Sequence, residues 1–305
     1  MSIQIKTKHA LRGGFGRLLT VSIVGAVLAV PAFAQTTTTF RQGVNSYGGH
    51  EDAPINQVNG GDRNWGGDSE STLGFNSNGT RFRQVERWDM GGLDTSNGVA
   101  SATLEWTLKD KGVGGAQGTG KGFLFALKPA NDDWTEGSGA GGVGGSDNGD
   151  ATYNDKSGFI NTPSNNVAWT GGQGAGPALT SGGNPPASNN GYYVDPIGEF
   201  SWDSGNLSGG DVISISLSGA SGLGDGSLTT LIDSWTGLNN AGFVTITDAE
   251  GGASTQRIFP FTSEAAEANR PQLSVTTNAI PEPQTYALLG GLAALGAALL
   301  RRRRS

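Results

Sequence analysis

Hydrophobic and polar residues alternate along much of the chain, and that alternation sets the expected elements. Val212-Ile213-Ser214-Ile215-Ser216-Leu217 is the clearest case, with Ile213, Ile215 and Leu217 on the inward face of a strand. Ala100 to Leu108 (ASATLEWTL) alternates the same way. So does Arg81 to Met90 (RFRQVERWDM), which puts Phe82, Trp88 and Met90 on one face and Arg81, Arg83 and Arg87 on the other. Gly122 to Leu127 (GFLFAL) reads as a more fully buried strand. Shorter β-prone runs are Thr36 to Gln42, an edge strand, and Thr72 to Phe75, followed by the Asn78-Gly79 turn pair. Others are Tyr192 to Val194, Phe243 to Thr247, Arg257 to Phe259 and Gln272 to Thr276. Leu228, Leu231, Ile232 and Trp235 have helical spacing instead, with Ser227 as N-cap. Roughly ten short strands and one brief helix predict an all-β fold, an antiparallel β-sandwich or jelly roll, over residues 35–279. The polar stretch Asn45 to Ser71 shows no strand pattern. Segment 137–190, rich in glycine, asparagine and serine, reads as a partly disordered insertion with strand character only at Phe159-Ile160 and Val167-Ala168-Trp169.

The two ends follow other patterns. Lys6, Lys8, Arg12 and Arg17 precede an apolar run from Leu18 to Val30, and Ala32-Phe33-Ala34 follows it. This predicts a helical signal peptide over 1–34, cut by signal peptidase between Ala34 and Gln35. At the other end, Pro281-Glu282-Pro283 precedes an uncharged run from Tyr286 to Leu300, and Arg301, Arg302, Arg303 and Arg304 close the pattern. The prolines keep the chain extended and open to a processing enzyme. The run predicts a single transmembrane helix, 286–300, short of the ~20 residues that span a bilayer core. The arginines lengthen it by snorkelling and, staying cytoplasmic, leave everything upstream outside. This order resembles the PEP-CTERM sorting signal over 280–305. The resemblance implies an exosortase substrate: a transient inner-membrane intermediate, cleaved near Pro281 to Pro283, that ends at the cell surface or outside the cell.

Composition sharpens the picture. Of 20 basic and 27 acidic residues, the two ends hold eight basic and one acidic. Gln35 to Ala279 is left with 12 basic and 26 acidic residues, a net charge of −14. That excludes nucleic acid as a general partner. The chain has no cysteine, so disulfides, thiol nucleophiles and thiolate metal sites are absent. Glycine fills 52 of 305 positions, against ~7% on average, which fits many short strands and turns.

A second resemblance runs from about Phe40 to Thr276. Asn64-Trp65-Gly66, Arg87-Trp88-Asp89, Ala102-Thr103-Leu104, Trp134-Thr135-Glu136, Val167-Ala168-Trp169, Phe261-Thr262-Ser263-Glu264 and Arg270-Pro271-Gln272-Leu273 occur in order. The succession resembles the DNRLRE domain, a family of secreted β-sandwiches that includes alginate-binding carbohydrate-binding modules. Trp88 stands where that family usually has phenylalanine, and the 137–190 insertion separates Glu136 from Trp169. The resemblance implies a non-catalytic module with a polysaccharide ligand.

The candidate chemistry is sparse. His50 is the one histidine after the signal peptide and reads as a solvated loop residue, which leaves no Ser-His-Asp site. Glycosidase work needs two carboxylates ~5–10 Å apart; Asp132, Asp133 and Glu136, or Glu86, Asp89 and Glu105, are the candidates. No cofactor is expected, although the loops Asp62 to Asp68 and Asp147 to Asp155 could hold Ca²⁺ or simply be solvated. Arg81, Arg83 and Arg87, spaced ~7 Å apart on one strand face, suit the carboxylates of an acidic exopolysaccharide, or else pair with the chain's own acids. Trp65, Trp134, Trp169 and Trp202 are candidate sugar platforms or core residues. The expected function is therefore an exported surface or matrix protein whose β-sandwich binds exopolysaccharide. The alternatives are a polysaccharide hydrolase or lyase, and a purely structural biofilm protein.

Overall fold

The structure, a computed structural model, describes residues 35–58, 61, 63–110, 115–139, 150–157, 165–179, 189–237, 239–248, 250, 254–279, 290–296, 299 and 301–302. The chain divides into two compact units, Phe33–Pro283 and a second made of Met1–Ala32 with Gln284–Ser305. In the second unit the described residues 290–296 are helical, and 290–295 are exposed. The expected signal helix, Ala32, Ala34, Pro281, Glu282, Pro283, Arg303 and Arg304 lie outside the described residues. No helix among the described residues is long and apolar enough to cross a membrane.

The first unit is an antiparallel all-β domain. In chain order its strands are β1 (Thr36–Phe40), β2 (His50–Asn56), β3 (Leu73–Phe75), β4 (Arg81–Trp88), β5 (Val99–Thr107), β6 (Ala116–Gln117) and β7 (Thr119–Ala126). There follow β8 (Asp155–Ser157), β9 (Val167–Ala168), β10 (Gly198–Asp203), β11 (Val212–Ser216), the helix α1 (Leu228–Ser234), β12 (Phe243–Thr247), β13 (Gln256–Ile258) and β14 (Gln272–Thr277). Four strands form a small sheet in the order β1-β14-β5-β11. The larger sheet runs β10-β7-β12-β4-β3-β13-β6, with β2 beside β4. Its end strands β10 and β6 touch, and the Trp202 indole donates to the Gln117 carbonyl at 3.2 Å, so the sheet is nearly closed. β8 and β9 form a separate ribbon.

Each pattern that alternates cleanly folds as its period dictates. Ile213, Ile215 and Leu217 of the β11 region face the space between the sheets, where they meet Leu104, Trp106, Leu124, Phe200, Phe243 and Val275. Helix α1 is capped by Ser227, whose hydroxyl accepts from the Thr230 N–H at 3.1 Å. Its apolar stripe puts Leu231 and Ile232 into the same core.

The larger sheet also buries its second face. There Ile55, Val85, Phe123, Phe125, Val244 and Ile246 are covered by Trp134, Ala151, Trp169, Ala175, Leu179 and Tyr192. Several of these covering residues come from the glycine-rich insertion, whose described part is therefore packed. Four strands, β2, β6, β8 and β10, differ from expectation, and the expected strand Tyr192 to Val194 makes only an isolated bridge between Tyr192 and Leu127. β2 lies in the stretch that showed no strand pattern, and β10 carries Phe200 and Trp202 inward between exposed Glu199, Ser201 and Asp203. Pro54 fits inside β2 because β2 pairs with β4 alone among the described residues and so lies at an edge.

Candidate functional site

Strand β4 organises two polar assemblies, one on each face. On the outer face, Arg83 is fully buried and forms a double hydrogen-bonded pair with Glu250, Nε to Oε1 and Nη2 to Oε2, both 2.6 Å. Its Nη1 donates to the carbonyls of Gly174 and Gly176 at 2.6 and 2.7 Å. Burial works against the guanidinium charge, and Glu250 more than restores it, so the Arg83 pKa is raised further. Arg81 reaches the same carboxylate, with Nε 3.8 Å from Glu250 Oε2. Arg87, at the far end of β4, donates to Glu51 Oε2 at 2.5 Å and to the Asp132 carbonyl at 3.0 Å. Its guanidinium lies over the Trp134 ring, 4.7 Å from the centroid. The three arginines share a face, as their spacing predicts, but the insertion covers Arg83 and each of the three has an acidic partner.

Three of the four candidate tryptophans are placed as core. Trp134, Trp169 and Trp202 are buried, with their indole N–H groups on the carbonyls of Ala241, Thr152 and Gln117. Trp65 is half-buried. Trp134, Trp169 and Trp202 therefore present no open ring face, while Trp65 keeps part of its surface exposed. The two expected carboxylate clusters are also pulled apart. Asp133 pairs with Lys156, Glu136 turns inward, and Glu105 accepts from Gln272 on the small sheet. Among the described residues no group of three or more histidine or acidic side chains is placed to hold a metal ion. Asp62 and 147–149, parts of the proposed Ca²⁺ loops, lie outside the described residues.

Two of the separated carboxylates meet in an open groove of about 530 Å³. Arg87, Glu51, Asp89 and Asp132 line it, with Gly48, Gly49, Thr236, Gly237 and Asn240 as walls. Register places Glu51 directly opposite Arg87. Asp89 follows β4, its N–H donating to the Gly49 carbonyl at 2.7 Å, and its carboxylate accepts from the Gly91 N–H. The Asn240 amide donates to the Trp88 and Trp235 carbonyls and so fixes the groove wall. Asn240 and Glu51 escape sequence reasoning, because neither lies in an alternating run.

On the inner face of β4 lies a buried acidic node. His50 is buried, contrary to its reading as a solvated loop residue, because β2 pairs it with Trp88 and the two rings stack at 3.8 Å. Its Nε2 is 3.4 Å from Glu86 Oε2 and 3.7 Å from Asp52 Oδ2. Asp52 Oδ2 accepts from the Ser263 N–H at 2.6 Å, and the Ser263 hydroxyl donates to Glu136 Oε1 at 2.8 Å. Asn64 completes the node, donating to the carbonyls of Glu136 and Ala151. The motifs containing Asn64, Trp88, Glu136 and Ser263 thus converge on one internal junction. Gly242 closes it. Its φ is +74°, and a Cβ there would lie 1.9 Å from the Glu86 carbonyl oxygen.

Burial dominates the node's proton affinities. It pushes the Glu86 carboxyl up to about 8, with the facing indoles of Trp106 and Trp88 offsetting part of the rise. Burial, then the neighbouring Asp52 carboxylate, push Glu136 up to about 9. Asp52 is raised by burial and by Glu86. Burial lowers His50 to about 3, so at neutral pH the His50–Glu86 contact joins a neutral imidazole to a carboxylic acid rather than an ion pair. No known protein family matches the chain, and no curated protein does.

Proposed function

We propose that the chain is an exported protein, sorted by an exosortase through its PEP-CTERM-like tail. Its non-catalytic β-sandwich, jelly-roll-like and similar to DNRLRE modules, would bind exopolysaccharide at the cell surface or in the extracellular matrix. The open groove around Arg87 carries the binding half of this reading. It offers guanidinium and carboxylate groups held by backbone contacts, the side-chain types that suit sugar hydroxyls. The carboxylates at its rim, and the engagement of Arg87 with Glu51, favour a hydroxyl-rich neutral stretch of glycan over a uronate. The carboxyls with raised pKa belong to the buried node and do not line the groove, which supports binding rather than hydrolysis.

Pull-down on neutral and acidic polysaccharides tests the groove. Binding by the wild type that is lost in Arg87→Ala with Asp89→Asn supports it, and binding unchanged in that variant removes it. Intact mass tests the sorting. A chain from Gln35 to near Pro283 is expected, and retention of Arg301 to Arg304 would sink exosortase cleavage.

A further inference from the structure

The small sheet differs in character from the rest of the domain. Its outer face carries hydroxyls in register across all four strands, Thr39, Ser274, Thr103 and Ser216 in one row. Beside it Thr37 faces Thr276, their hydroxyls 2.8 Å apart. This nearly uncharged face belongs to a domain of net charge −14. At its margin, β1 pairs with β14 and with no other strand among the described residues. The outer edge of β1 carries none of the usual blocks to strand addition: no lysine, no proline, no bulge.

Beneath that edge lies a groove of about 360 Å³, lined on the β1 side by Thr36, Thr38 and Phe40 and across from it by Gly91, Gly92, Leu93 and Asp94. A strand added to β1 would lay its inward side chains over this groove and its outward ones beside the hydroxyl rows. The fitting strand is uncharged, with small hydroxyl residues outward and small or apolar residues inward. The sequence Thr36-Thr37-Thr38-Thr39-Phe40 meets that description itself. Antiparallel pairing about a two-fold axis makes the contact self-complementary.

We propose that two copies of this chain associate edge to edge through β1, with Thr38 opposite its counterpart and Thr37 opposite Thr39 of the second copy. The four-stranded sheets join into one of eight strands. Charge argues for a second copy at this place. Two acidic domains repel over most of their surfaces, and at this margin β1 itself carries no charge and Asp94 is the one acid among the residues lining the groove. The association therefore strengthens as salt screens the repulsion, the reverse of an interface held by ion pairs.

The test is sedimentation velocity on the full exported protein over a range of concentrations and salt. A monomer–dimer equilibrium that tightens at high salt is expected. Thr37→Glu with Thr39→Glu sets like charges across the two-fold axis and should weaken association roughly tenfold or more. Thr37→Val with Thr39→Val should leave it intact. Unchanged thermal unfolding in both variants shows that the fold survives. A wild type that is monomeric throughout, a dimer that weakens with salt, or a dimer indifferent to the glutamates overturns the proposal. Glycan binding at Arg87 is a separate readout and is unaffected by either result.

Discussion

The two faces of the larger sheet handle buried polar groups in opposite ways. On the outer face, each charge meets an opposite charge or a carbonyl: Arg83 has Glu250 and two glycine carbonyls, and Arg87 has Glu51. On the inner face, Glu86, Gln84, Thr245 and Thr247 point into the shared core; Glu86 faces the Trp88 and Trp106 indoles, and the side-chain polar atoms of Gln84, Thr245 and Thr247 make no hydrogen bond among the described residues. Among the described residues no cation is buried there to offset the acids, and burial favours their neutral form. One strand, β4, supplies both arrangements by alternation alone, with Arg83 and Arg87 outward and Gln84 and Glu86 inward. Burial by itself does not set the cost of a polar group; the partner it meets does.

The largest effect should come from breaking the matched face. Arg83→Ala leaves two buried carbonyls without their donor and Glu250 facing only the more distant Arg81, and should cost about 3–5 kcal/mol in urea unfolding. Arg83→Met with Glu250→Met should cost much less than the single change. A similar loss for both would show that packing, not charge matching, dominates.

The inner face should reveal itself through pH. A carboxyl whose folded pKa is raised holds its proton in the folded state after the unfolded chain has released it. Stability therefore falls as pH rises from the ordinary carboxyl range through about 8 for Glu86 and about 9 for Glu136. His50 acts with the opposite sign, but only below its ordinary value of 6.5. Between pH 6.5 and 9 the acids act alone, at roughly 1.4 kcal/mol per pH unit for each fully contributing carboxyl. Glu86→Gln keeps the shape and removes the ionisation. Its stability should be flatter with pH and should exceed that of the wild type at pH 9. Parallel pH profiles for the two proteins would refute the assignment.

Arg87 sits where the matched face reaches solvent, with a fifth of its side chain exposed. Arg87→Ala should cost only about 1 kcal/mol of stability, while abolishing whatever the groove binds. A loss as large as that at Arg83 would place Arg87 in the core and not at a binding rim.

These contrasts were unevenly legible in the sequence. The inward faces of β11 and β5 could be read because their alternation is clean and their neighbours are apolar. The arginines were placed correctly on one face of β4. What the chain pattern could not carry is that a distant glycine-rich segment folds over them, since covering residues such as Ala175 and Leu179 sit among glycines with no period. β2 was illegible for a related reason. His-Glu-Asp-Ala-Pro-Ile-Asn reads as a solvated loop, and it is a strand only because its polar residues meet Glu86, Trp88 and Ser263, far away in sequence. The seven motifs noted along the chain were visible, but their meaning was not. Four of them supply the internal junction, a role that spacing along a chain cannot distinguish from a binding face.

The smallest expected change is also the one that separates the two faces most directly. Thr245 is fully buried on the inner side of β12, opposite Gln84, and its hydroxyl has no partner among the described residues. Thr245→Val keeps the branched shape favoured in a strand and replaces the hydroxyl with a methyl group. Removing an unpartnered buried hydroxyl should leave stability equal or raise it by up to about 1 kcal/mol. The outer face allows no such gain, because each polar group taken from it strands a partner. A clear loss at Thr245, comparable with the cost of a broken buried hydrogen bond, would mean that the inner hydroxyls are satisfied after all and that the two faces obey one rule.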